Sequence, residues 1–141
     1  MLSPDTKVFA KRQFSMMTDQ VSTHLHSLAK QQIILCGVEA HVCIQQTVLD
    51  LLSNNDEDGT YEVFLVVDAI SSQRCHDRSV ALERMKNAGA VITTTESKLA
   101  LLWQQSLHHI STHHINTPPY HINAPPPSHL LNPLYCYRFD F

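Results

Sequence analysis

The stretch "LCGVEAHVCIQQTVLDLL" (35–52) sets Cys43 where an apolar run gives way to an amphipathic one. A cysteine just past a strand, on the first turn of the next helix, meets unpaired N–H groups and the positive end of the helix dipole. Both favour thiolate over thiol. The same N–H groups can receive an oxyanion during acyl transfer, so the position suits a nucleophile as well as a packed small residue. His41 lies two residues before Cys43, and helical residues two apart point in different directions. A Cys–His dyad is therefore not expected, and His41 reads as a pocket or surface residue. Cys36, inside the apolar run, reads as core, while Cys75 and Cys136 have no comparable setting. Cys43 is accordingly expected to be the most reactive thiol. The four cysteines show no C-x-x-C spacing, and in a reducing compartment an unpatterned thiol is a packed residue or a catalytic one, so disulfides are not expected. His76 and Asp77 read as bystanders, with Asp77 and Arg78 opening a helix. In the tail, His109 and His113 have the four-residue spacing of a helical metal pair. No carboxylate or cysteine completes that set, and neither a metal site nor another cofactor is expected.

The elements that must position Cys43 alternate along residues 7–105. Short apolar runs "KVF" (7–9), "IILCGV" (33–38), "EVFLVV" (62–67) and "AVITT" (90–94) read as strands. Helical periods fall near Thr18–Ala29, Ala40–Ser53 and Asp77–Asn87, and again from about Glu96. Runs such as Val63–Val67 are apolar without alternation, as in a parallel strand covered on both faces, so the class is α/β. Thr18 with Asp19 caps the first helix, Gly89 closes the third, and Thr95 stands as the cap of the last. "SNNDEDG" (53–59) reads as a solvated turn, since calcium-loop spacing is absent.

Charge and composition exclude several classes of function. A formal net charge of −3 over 141 residues offers no basic face to a nucleic-acid backbone. No apolar run reaches the ~20 residues of a membrane span, and Pro4 and Asp5 interrupt the start where a signal peptide needs an apolar core. A soluble, cytoplasmic protein is expected. Beyond Gln104 the only charged residues are Arg138 and Asp140, while six of the seven prolines and six of the ten histidines gather there. The chain therefore reads as a folded domain over 1–103 and an irregular Pro/His-rich tail over 104–141.

The stretch 35–52, together with "VVDAISSQRCHDRSVALERMKNAGAVITTTES" (66–97), resembles the isochorismatase-like cysteine hydrolases, above all the isochorismatase domain-containing proteins of animals. Gly37, Val38, Glu39, Cys43, Thr47, Asp68, Asp77, Arg78 and Gly89 fall together in the family's order. The resemblance implies a three-layer, Rossmann-like parallel sheet and hydrolysis of a small molecule, either an amide such as nicotinamide or the vinyl ether of isochorismate. It makes Cys43 the nucleophile and, through "VFAKRQFSM" (8–16), Lys11 the catalytic lysine. It also implies a cis peptide between Val38 and Glu39 and an oxyanion site formed by the backbone N–H groups of Glu39 and Cys43. The family's third catalytic residue is an Asp on a "VVD"-like first strand, and no such strand precedes Lys11 here. Asp68 has the right look but follows the Cys helix, and Asp5 lies in a Pro-bearing start. The resemblance therefore implies an incomplete domain, lacking the family's first two strand–helix units, whose hydrolase activity is impaired. The alternative is a non-catalytic truncated isoform acting through association. Either way the strand at 33–38 is expected to show an unpaired edge, open to a homo-oligomer or a full-length paralogue.

Overall fold

The computed structural model describes residues 6–53 and 61–111, with 105–111 as backbone. Helix α1 (Asp19–Leu28), strand β1 (Gln32–Gly37), helix α2 (Gln45–Ser53), strand β2 (Glu62–Ile70), helix α3 (Cys75–Asn87), strand β3 (Val91–Thr93) and helix α4 (Thr95–Ser111) follow one another. A π-helical turn, Ala40–Ile44, runs directly into α2. Both ladders are parallel: Gln32–Leu35 lies beside Glu62–Leu65, and Phe64–Val66 beside Val91–Thr93. The order β1-β2-β3 places β2 between its two neighbours.

Side chains alternate between the faces of a strand, and the buried residues sort accordingly. Val63 and Leu65 of β2 join Ile33 and Leu35 of β1 in one core with Ile44, Val48 and Leu51 of the Cys helix and Ala81 and Met85 of α3. Phe64, on the opposite face, meets α4 through Lys98, whose Nζ lies 3.2 Å from the ring centre. Helices thus cover the sheet on both sides. The unbroken apolar run of β2 follows from that double cover, with Val63, Phe64, Leu65 and Val66 all buried.

The α/β class and the alternation from α1 to α4 match the sequence expectation, with four differences. Lys7–Phe9 forms no strand: no ladder reaches it among the described residues, and Val8 is 86% exposed. A three-residue segment without a neighbouring strand has nothing to exchange its hydrogen bonds with. Cys36 is only half-buried, because β1 is the outer strand of the described sheet and its second face is incompletely covered. The cap of α4 is Thr94 rather than Thr95: its hydroxyl accepts from the Ser97 N–H at 3.3 Å, and Thr95 is the first helical residue. The helix carrying Cys43 begins as a π turn rather than as α-helix, with the Ile44 N–H donating to the Glu39 carbonyl at 3.2 Å.

Helix α4 crosses the expected boundary at 103/104 and runs to Ser111. Asp5, most of the acidic turn and the tail with His113, His114 and Cys136 lie outside the described residues. Among those described, no helix is long and apolar enough to cross a membrane, and no group of three or more His, Cys, Asp or Glu side chains could hold a metal ion.

Candidate active site

Cys43 lies beyond the carboxyl end of β1, in the π turn. This is the side of a parallel sheet where loops converge and ligands bind. Gly37 ends the strand with φ at 124°, a conformation that side-chain-bearing residues rarely adopt. The peptide between Val38 and Glu39 is cis, as the resemblance implies. The chain then enters the turn, and Cys43 is 1% exposed.

Lys11 reaches this thiol from a segment far away in sequence: its Nζ lies 3.5 Å from Cys43 Sγ and 2.9 Å from the Gln13 carbonyl. Two buried residues of the same segment, Ser15 and Met16, fix where it passes. The buried Thr47 hydroxyl donates to the Cys43 carbonyl at 2.7 Å and accepts from the Met16 N–H at 2.9 Å. One hydroxyl one helical turn after Cys43 therefore ties the turn that holds Cys43 to the segment that holds Lys11. The resemblance singles out Thr47, but nothing in its residue type discloses this double bond. Lys11 also lines an open depression with Arg12, Gln13, Thr18, Asp19 and Gln20.

The other candidates fall elsewhere. His41 turns away from the thiol: Nδ1 is 3.0 Å from Ser72 Oγ and 3.7 Å from the Glu39 carboxylate. Arg78 donates from Nε to the Ile70 carbonyl at 2.9 Å and from its terminal nitrogen to the Val67 carbonyl at 2.6 Å, closing the end of β2. Asp68 accepts from the Thr95 N–H at 2.9 Å, a bond that holds its carboxyl below the ordinary aspartate range. It is thereby committed to the start of α4. His76 and Cys75 are exposed at the start of α3. Among the described cysteines Cys75 is exposed, while Cys43 is buried beside Lys11.

An isochorismatase domain matches residues 2–97. The secreted isochorismatase effector Isc1 of Phytophthora sojae is 46% identical over 99 residues, which cover 69% of this chain and 45% of that protein. Isochorismatase domain-containing protein 2 of Xenopus laevis is 42% identical over 105 residues, covering 74% of this chain and 49% of the relative. The structure of the MAR1 ribonuclease of Caenorhabditis elegans superposes with a TM-score of 0.65 at 33% identity, over 90% of this chain and 65% of that one. The chain spans about half the length of these curated relatives. A parallel sheet with the Cys turn beyond its first strand, together with a domain match over most of the described residues, makes this chain a member of the isochorismatase domain family.

Proposed function

We propose that the chain carries the nucleophilic half of an isochorismatase-type cysteine hydrolase acting on amide or vinyl-ether bonds of small molecules. The observation that carries this reading is the 3.5 Å contact between Lys11 Nζ and Cys43 Sγ, formed across 32 residues of sequence and tied by Thr47. The thiolate is the form of a cysteine that attacks a carbonyl carbon, and Lys11 Nζ is the polar group beside this sulfur. Attack on an amide forms an S–C bond and an oxyanion, which the N–H groups of Glu39 and Cys43 would receive. Collapse expels the amine, which must gain a proton, and water then cleaves the thioester to an acid. The substrate enters by the open depression beside Lys11, whose wall carries both Arg12 and Asp19 and so favours a polar molecule. No metal or other cofactor is part of this reading.

In the family a carboxylate manages the proton, and Asp68, the closest look-alike, is engaged at α4. The 141 residues by themselves are therefore slow hydrolases. Ammonia release from nicotinamide, and turnover of isochorismate, test the reading directly: weak turnover abolished by Cys43→Ala supports it, and turnover that survives this substitution overturns it. RNA cleavage is assayed beside these because the nematode protein of similar fold is a ribonuclease. The chain's net charge of −3 favours the small-molecule substrate.

A second reading has its own observation. Within the described residues the sheet ends at β1. A strand edge is a template for another strand, so association with a second copy or a longer paralogue, placing a strand beside Gln32–Gly37, is the non-catalytic alternative.

A further inference from the structure

We infer that the Glu39 carboxylate is a positioning residue that fixes the oxyanion turn by anchoring it to the loop after β2; this rests on the hydrolase reading above. The turn from Gly37 to His41 and the loop from Ser71 to Gln73 are joined by four hydrogen bonds. The Ser71 N–H donates to the Gly37 carbonyl at 3.1 Å, and the Ala40 N–H donates to the Ser71 carbonyl at 2.8 Å. The Glu39 carboxylate accepts from the Gln73 N–H at 2.9 Å, and His41 Nδ1 pairs with Ser72 Oγ at 3.0 Å. The Glu39 carbonyl meanwhile accepts from the Val42 and Ile44 N–H groups, each at 3.2 Å, and so begins the turn that holds Cys43. Glu39 is thus gripped at both ends, by its side chain to the β2–α3 loop and by its carbonyl to the nucleophile's turn. Its own N–H, between these grips, is left one orientation. An oxyanion donor is useful only when pre-aimed, since a reorientation that accompanies the reaction cancels the gain. The bond to Gln73 needs reach and an acceptor oxygen, not charge in particular, and that separates it from an electrostatic role.

The test uses the 141-residue chain and a probe that needs an oxyanion site, ¹³C-carbonyl-labelled pyridine-3-carbaldehyde. The Cys43 sulfur adds to the carbonyl carbon, the π pair moves to oxygen, and the oxygen takes the thiol proton, giving a thiohemiacetal without other reactants. NMR follows the adduct, and its loss in Cys43→Ala assigns it. Iodoacetamide alkylation of Cys43, read by peptide mapping, is the parallel probe that needs no oxyanion site. Glu39→Ala and Glu39→Asp are expected to weaken the adduct at least about tenfold, part of the loss on deleting a donor outright, with alkylation changed less than about twofold. Glu39→Gln keeps the length and an acceptor and is expected to recover most of the adduct. An Asp variant that matches the parent, a Gln variant as weak as Ala, or adduct and alkylation falling together each overturn the proposal. If Glu39→Ala loses its cooperative melt, the Asp and Gln comparison decides. If the folded parent chain forms no Cys43 adduct, the hydrolase reading itself fails and this inference with it.

Discussion

At the scale of single residues, Thr47 and Lys98 carry consequences that their types alone do not announce. Thr47 is buried with both bonds of its hydroxyl used, to Met16 and to Cys43. Thr47→Val keeps the shape and strands a buried N–H, which costs about 1–3 kcal/mol in urea unfolding and loosens Lys11 from the thiol. Lys98 is 3% exposed above the Phe64 ring; burial lowers its proton affinity, and Glu62 partly restores it. Its folded-state pKa therefore lies below the unfolded one, so the unfolded chain binds more protons as the pH climbs toward the lysine range. Stability rises with pH over that window. A urea series across alkaline pH shows this rise in the parent chain and flattens in Lys98→Met; a parent whose stability does not rise there refutes the assignment. The Cys43 motif was legible because strand, turn and helix periods converge on it. The partners of Glu39, His41 and Thr47 were not, since each depends on a loop brought in from more than 30 residues away in sequence.

At the scale of elements, α4 begins where two caps meet: the Thr94 hydroxyl on Ser97 and the Asp68 carboxylate on Thr95. A carboxylate accepting from the first turn of a helix is favoured by the dipole and the unpaired N–H groups there. Asp68 has a folded-state pKa below its unfolded one, so it stabilises the start of α4 above the unfolded value, and this contribution disappears as pH falls through the folded one. Asp68→Asn is expected to raise amide exchange in the first turn of α4 and to remove this acid-range dependence; unchanged exchange at Thr95–Lys98 speaks against the cap. Sequence periods located α1, β1, β2, α3 and β3 to within a few residues, because each is either amphipathic or an apolar run between turn residues. They misplaced Lys7–Phe9, since two apolar residues specify a strand only where a neighbour supplies the ladder. They set the last cap one residue late, because consecutive threonines at 93–95 offer three equivalent hydroxyls. The π character of the Cys turn has no period of its own over five residues.

At the scale of the molecule, the described sheet has three strands and ends at β1, while the curated relatives are about twice as long. A parallel sheet of this kind is stable when both faces and edges are covered, yet Val91 and Ile92 of β3 and Leu99, Leu101 and Trp103 of α4 are all exposed apolar side chains. Sedimentation velocity across a concentration series is therefore expected to show self-association, and a segment carrying the family's first two strand–helix units is expected to raise the thermal midpoint. A monodisperse chain that melts cooperatively and ignores that segment contradicts the open-edge account. The fold class was legible from the strand–helix alternation; the extent of the sheet was not, because strand order is set by pairing across the chain. The central claim concerns Cys43 and Lys11, and acyl transfer to the thiol tests it most directly. The folded Cys75→Ala chain, which lacks the thiol exposed among the described residues, is treated with p-nitrophenyl acetate near neutral pH and the acetyl group is located by peptide mass mapping. The account predicts a thioester on Cys43, absent in Cys43→Ala and formed about tenfold or more slowly in Lys11→Met, where the activating ammonium is gone. Acetylation of Cys36 in place of Cys43, or a rate on Cys43 that Lys11→Met leaves unchanged, would contradict it.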